Sequence, residues 1–338
     1  MTGRWAPCSA SPRNCVPGWP ARSTPTTSTR AEGPAYSEGC SMIQRKDIQF
    51  EADGAVQLRG WLFLPDGPGP HPAITMAHGY AGVKEHGLEP FAQAFAENGF
   101  VVLVHDHRGF GASDGQPRQD VDPWRQIADW RRAISFLESL PEVDPERIGL
   151  WGTSYAGGHA IVLGATDRRL RAVVSQVPTI SGFEQGRRRI APEAVAALEE
   201  GFSEDERAQL RGKAPRTLAI VGSDPAVPAS YRTQEAIDFY LQPKPDGVWE
   251  NEVTVRSSRA ARMYEPGIWV NRVSPTPLLM VVALNDTVTV TDLALAAYER
   301  ALEPKRLRTI PGGHFDPYTT QFDKASGAAV EWFREHLA

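Results

Sequence analysis

Cysteine is almost missing from this chain. The three that occur, Cys8, Cys15 and Cys40, all fall within the first 41 of 338 residues, so residues 42–338 can hold neither a disulfide framework nor a thiolate metal site. Long apolar runs are missing too. The longest, such as PLLMVVAL at 277–284, have the length of a strand and fall far short of the ~20 residues that cross a bilayer. Nor is positive charge in excess: 36 Lys and Arg stand against 41 Asp and Glu, a net charge of -5. Such a surface has no basic field to hold a nucleic-acid backbone or an anionic membrane, and neither partner is expected. The first 41 residues are rich in Pro, Ser, Thr, Gly and Arg and lack both periodicity and the apolar core of a secretory leader. They read as a disordered tail before a folded body that begins near Met42, and a cytoplasmic location is the expectation. No internal repeat is apparent.

What is present is ordinary globular material, 41% hydrophobic and 23% charged. KDIQFEADGAVQLRGWLFLP, from residue 46, gives two strand-like runs about a DG turn. AITMAHG (73–79), FVVLVHDHRG (100–109), RIGLWG (147–152), RAVVSQV (171–177), PLLMVVAL (277–284) and KRLRTIPGGH (305–314) follow. These are mostly apolar on both faces, as strands inside a parallel sheet should be. Helical patterns separate them at 88–98, 123–140, 156–165, 291–302 and 321–337. In the second, Trp124, Ile127, Trp130, Ile134 and Leu137 recur at three and four residues behind Pro123. The alternation predicts an α/β fold with a doubly wound, mostly parallel sheet. Residues 181–272 are far longer than a crossover requires. They are expected to form an inserted cap, leaving 42–180 and 273–338 as the core.

IGLWGTSYAGG at 148–158 places Ser154 where a strand breaks into glycine and a helix begins. That is the layout of a nucleophile elbow, usually spelled G-x-S-x-G, except that Ala156 replaces the second glycine. A serine hydroxyl needs an imidazole to take its proton and a carboxylate to orient the imidazole. His314 follows KRLRTIPGG, and Asp286 follows PLLMVVALN. Each therefore lies at the carboxyl end of a predicted strand, where sites in open parallel sheets gather. Ser154 and Asp286 are 132 residues apart, enough for a cap, and Asp286 and His314 are 28 apart, enough for one helix and one strand. An oxyanion hole needs two backbone amides. Tyr155 directly follows the nucleophile, and Tyr80, in AHGYAG, is the expected second, its phenol a further donor.

The pieces HGY (78–80), DHRGFGASDG (106–115), GTSYAGG (152–158), ND (285–286) and GGHFDPY (312–318) together resemble the serine hydrolases of the α/β-hydrolase superfamily, over about residues 46–338. The SY pair and the capped layout are similar to dienelactone-hydrolase-like, Xaa-Pro dipeptidyl-peptidase-like and fungal polyketide hydrolase/transferase proteins.

Rival readings use the same residues. HDH at 105–107, with His78, suggests a metal, but the flanks lack further ligands at suitable spacing; Asp106 and Arg108 are better read as tethers of their loop. RGFGASDG misses the dinucleotide glycine spacing by one. Asp224, after TLAIVGS, competes with Asp286 as the acid, yet lies 90 residues from His314. The run Arg187-Arg188-Arg189 is a solvated face or a receptor for a substrate carboxylate.

The residues point to a cofactor-independent enzyme in which Ser154 attacks a carboxylic ester of a small molecule, with His314 as base and Asp286 orienting it. Thioesterase, lactonase, acyltransferase, peptidase or carbon–carbon hydrolase chemistry would use the same parts. A ligand receptor on the same fold is the non-catalytic alternative, and the intact Ser, Asp and His argue against it. Tyr264, Ile268 and Trp269 are expected to roof the serine and favour apolar or aromatic groups.

Overall fold

The computed structural model describes residues 43–338; the expectation of a disordered tail and all three cysteines lie outside the described residues. The DG turn joins β1 (Gln44–Ala52) to β2 (Val56–Leu64) in an antiparallel pair that runs from Gln44 opposite Leu64 to Ala52 opposite Val56. Gly54 takes a φ of 81° in that turn, a conformation glycine adopts without strain. The chain then alternates through β3 (His71–Ala77), α1 (Glu89–Glu97), β4 (Val101–His105), α2 (Pro123–Glu138), β5 (Val143–Thr153), α3 (Tyr155–Thr166) and β6 (Leu170–Gln176).

After β6 the chain leaves the sheet. It forms α4 (Gly182–Arg189), α5 (Val195–Leu210), β7 (Thr217–Val221), β8 (Ala229–Tyr231), α6 (Gln234–Tyr240), β9 (Val253–Thr254) and α7 (Val255–Met263). It returns through a 3₁₀ turn at Pro266–Arg272 to β10 (Leu278–Ala283), α8 (Thr291–Arg300), β11 (Lys305–Ile310) and α9 (Phe322–Leu337). Among the described residues the main sheet has eight strands in the order β1-β2-β4-β3-β5-β6-β10-β11, parallel from β4 onward. Strands β8, β7 and β9 make a separate small sheet within the insertion.

Burial explains why the central strands are legible as apolar runs: every residue of β4 and β10 is buried. The exception is β11, expected to be covered on both faces, which alternates between exposed and covered residues. It is the edge of the sheet. Its outward Arg306 and Arg308 pair with Glu335 and Glu331 of α9, a charged edge that discourages pairing with another chain. Helix α2 starts where Asp122 accepts hydrogen bonds from the amides of Trp124 and Arg125, with Pro123 behind it. Its buried stripe holds Ile127, Trp130, Ile134 and Leu137, whereas Trp124, expected in the stripe, is 54% exposed in the first turn. Among the described residues no helix is long and apolar enough to cross a membrane.

The loop after β4 is tied down as the sequence suggests. Asp106 accepts from the Lys84 amide and ammonium (2.8 and 2.6 Å) and from the Ala112 amide (3.0 Å). Arg108 grips both carboxylate oxygens of Asp129 on α2 at 2.5 Å. The Asp129 side chain is only 1% exposed, so removing its cation leaves a buried charge unpaired, a loss of about 3–5 kcal/mol. Arg108→Met should show that loss in urea unfolding, and Arg108→Met/Asp129→Leu should recover most of it. A single mutant within about 1 kcal/mol of the parent would mean the pair is solvated after all.

Candidate active site

Ser154 sits between β5 and α3 with φ 57° and ψ −119°, a strained backbone for a non-glycine residue. Neighbouring contacts hold it there. The Ser154 amide donates to Gln176 O at 2.9 Å, and the Ser154 carbonyl accepts from Gly157 and Thr179, both at 3.0 Å. A Cβ at Gly152 would come within 2.2 Å of the Ala156 carbonyl oxygen, and one at Gly157 within 2.9 Å of Gln176 O. Those two positions therefore demand glycine, while the Ala156 methyl is accommodated in full burial. This accounts for the altered elbow spelling.

Three strand ends then meet. His314 Nε2 lies 2.9 Å from Ser154 Oγ, and His314 Nδ1 lies 2.7 Å from Asp286 Oδ2. The His314 and Asp286 side chains are 2% and 3% exposed. Asp286 Oδ1 accepts from the amides of Val288 (2.7 Å) and Thr289 (2.8 Å), and Oδ2 from Thr289 Oγ1 (2.7 Å). Burial alone would raise this carboxyl, but the charge and hydrogen bond of His314, with the bonds from Thr289, outweigh it and hold the pKa at about 2. The carboxylate fixes Nδ1 as the protonated nitrogen and leaves Nε2 to accept from the serine hydroxyl. Asp224 is elsewhere: β7, which precedes it, belongs to the small sheet, and its exposed side chain accepts only from the Ala226 amide among the described residues.

The HGY loop passes over the serine. A Cβ at Gly79 would lie 2.9 Å from Ser154 Cβ and 3.3 Å from Oγ, so the residue before Tyr80 touches Ser154. Tyr155 supplies the first amide of α3, one of those a helix leaves without an internal partner. The two rings meet edge to face at 5.5 Å. The insertion holds the loop through Tyr240 Oη, which donates to Tyr80 O (2.7 Å), and Trp249 Nε1, which donates to Ala81 O (2.8 Å).

With this geometry, residues 53–316 match the family of X-Pro dipeptidyl-peptidases known as S15. The chain belongs to that family. The quorum-quenching protein AidA of Acinetobacter baumannii is 32% identical to this S15 member, covering 80% of the chain and 88% of AidA. Thiohydrolase aneE of Aspergillus aculeatus is 31% identical over 77% of the chain and 83% of its own length. The crystal structure of the α/β-hydrolase GrgF from Penicillium superposes with a TM-score of 0.76 at 29% identity, covering 87% of this chain and 99% of GrgF. The fold of this S15 member is accordingly the α/β-hydrolase fold.

Ser154 opens on a cavity of about 680 Å³ whose wall includes Tyr80, Tyr155, Tyr231, Arg189, Arg262 and Val288. Tyr264, Ile268 and Trp269, expected to roof the serine in this S15 member, are not in that wall. Tyr264 is 1% exposed and lies behind α3, its hydroxyl 2.8 Å from His159 Nδ1 and its ring 5.1 Å from that of Tyr155. Gly158 allows this approach: a Cβ there would come within 2.8 Å of Pro266 and 3.1 Å of Tyr264. Ile268 is 55% exposed, and Trp269 is half-buried beneath the Arg272 guanidinium. The returning chain thus packs on the back of the elbow helix. Tyr231 and Tyr240, stacked at 5.9 Å, bring the insertion's aromatics to the serine side instead.

His105 and His107 are fully covered, the His107 ring lying 4.6 Å from that of His78 and 5.7 Å from that of His159. Burial lowers both, His105 to about 3, and keeps them neutral. Among the described residues no group of three His, Cys, Asp or Glu is arranged to hold a metal ion.

Proposed function

We propose that this protein is a serine hydrolase that cleaves carboxylic esters of small molecules through an acyl-enzyme. The observation that carries the reading is the hydrogen-bonded chain from Ser154 Oγ through His314 to Asp286, ending at a cavity large enough for a small-molecule acyl group. Ser154 Oγ attacks the carbonyl carbon while His314 Nε2 takes its proton, and Asp286 steadies the imidazolium. The amides of Tyr80 and Tyr155 receive the negative oxygen of the tetrahedral intermediate. Its collapse breaks the carbon–oxygen bond, and His314 returns the proton to the departing alkoxide. Water, deprotonated by His314, then releases the acid. Residues 181–272 act as the cap over this chemistry.

A peptide substrate is a poorer match. A dipeptidyl-peptidase must hold a free amino terminus, and among the described residues no Asp or Glu lines the cavity to receive an ammonium. Thioester cleavage is the second reading. It is favoured by the relatives named thiohydrolases, 28% and 31% identical to this chain, and needs no change in the machinery. The test is a pre-steady-state assay with p-nitrophenyl esters and the matching acyl thioesters. A burst of one leaving group per enzyme, with the acyl mass found on the peptide bearing Ser154, is expected. Leaving-group release without a burst or adduct, under conditions where deacylation is slowed, would exclude the covalent route.

A further inference from the structure

The arginine run 187–189 divides in the structure. Arg187 pairs with Glu184 at 2.7 Å, and Arg188 grips Asp292 at 2.7 and 2.8 Å, both on the exposed surface. Arg189 is exposed as well, but it borders the cavity. Gly182, Gln185, Gly186 and Arg189 follow the i, i+3, i+4, i+7 spacing of one helix face, and these four residues of α4 line the cavity that opens on Ser154. The Arg189 guanidinium sits 5.4 Å from the Tyr231 ring centroid and donates to Val288 O. Gln185 fastens α4 to the same loop by donating to Thr289 O at 2.9 Å. The amides of Val288 and Thr289 in turn bind Asp286. Arg189 is therefore anchored to the loop that carries the triad acid.

No carboxylate pairs with Arg189 among the described residues. Two further cations share the cavity wall. Arg232 donates only to the backbone carbonyls of Asp224 and Val227 among the described residues. Arg262 pairs through Nη2 with Glu199 at 3.7 Å and keeps Nη1 buried without a hydrogen-bond partner among the described residues. The Tyr155 hydroxyl, also in the wall, is a buried donor without a partner among the described residues. Among the described residues, three arginines and no Asp or Glu thus line one cavity in a chain of net charge -5. Among the described residues Arg187 and Arg188 each have an acid partner, whereas Arg189 has none.

We infer that Arg189, supported by Arg262, is a specificity determinant that binds an oxyanion carried by the substrate. The guanidinium fork suits the two or three oxygens of a carboxylate or phosphate, and Arg189, which spends one donor on Val288 O, borders the cavity with donors to spare. The anion can sit at the far end of the acyl chain, as a carboxylate, or on the leaving group, as the phosphate of a pantetheine thiol. The inference rests on the acyl-hydrolase reading above. Because the cavity communicates with water, the expected preference is about ten- to a hundredfold in kcat/KM, the range of one charge-assisted contact.

Two matched comparisons test it. One sets p-nitrophenyl hemi-esters of C4 to C8 dicarboxylic acids against the p-nitrophenyl esters of the uncharged acids. The other sets an acyl phosphopantetheine against the same acyl pantetheine. Wild type should prefer the anionic member in at least one comparison, and which one identifies the source of the charge. Arg189→Met should bring that ratio to about one, Arg189→Lys should keep part of it, and Arg187→Met should leave it unchanged. Turnover without anion preference, or a preference that survives in Arg189→Met, overturns the inference alone. A wild type that forms no acyl-enzyme with any of these compounds overturns the hydrolase reading and the inference together.

Discussion

Replacing Ser154 by alanine should reduce ester turnover by about 10⁶, the loss that accompanies removal of a triad nucleophile, and should abolish labelling by a fluorophosphonate. The fold should survive the change. Ser154 makes no side-chain capping bond to α3, and the bonds that shape the elbow belong to the backbone. Alanine keeps the same Cβ and the same strained φ of 57°. Glycine removes the strain, so Ser154→Gly should be equally inactive yet more stable by about 1 kcal/mol. Equal melting temperatures for parent and glycine variant would show that the elbow is relaxed. Labelling that persists in Ser154→Ala would assign the nucleophile to another residue.

The parts legible in the sequence were those whose chemistry depends on the sheet alone. β4 and β10 are buried along their whole length, and so are the central runs of β3, β5 and β6, whose apolar sequences announce them. Ser154, Asp286 and His314 stand just beyond strand ends, so knowing the strands places the side chains. β11 carries the limit of that logic: as an edge strand it exposes Arg306 and Arg308 and reads less clearly. The cavity wall was not legible in the same way. Nothing local separates Tyr264, packed behind α3, from Tyr231, packed in front of Ser154. The difference lies in the path of the insertion and in Gly158, whose missing Cβ admits Tyr264 and Pro266. TLAIV reads as a strand and is one, but its partners are β8 and β9, which is why Asp224 resembled a triad acid without being placed as one. Arg189 did carry a signal. Its four-residue spacing from Gln185 and its offset from Arg187 and Arg188 put it on another face of α4, a distinction lost when the three arginines are taken as one patch.

Replacing Asp286 by asparagine should lower kcat by about 10⁴ with little change in structure, because the surrounding loop dictates which way the amide points. Oδ1 receives two backbone amides, from Val288 and Thr289. An asparagine NH₂ there would set donors against donors, so its carbonyl oxygen must take that place and its NH₂ must face His314. The imidazole is then forced to accept at Nδ1 and to carry its proton on Nε2, where it can no longer take one from Ser154. Thr289 Oγ1 loses its acceptor on Asp286 but keeps Val177 O at 3.0 Å, which limits the cost to stability. Asp224→Asn should stay near the parent, since its side chain meets only a loop amide among the described residues. Acid unfolding offers an independent readout. Asp286 is held at about 2, below its ordinary value of 3.8, so its contribution to stability is complete above about pH 4 and fades as pH falls toward about 2. Asp286→Asn should therefore lose less stability than the parent across that interval. Turnover that survives in Asp286→Asn and collapses in Asp224→Asn would move the acid to the other strand, and an unchanged acid-unfolding curve would show that Asp286 is not held as a carboxylate against His314.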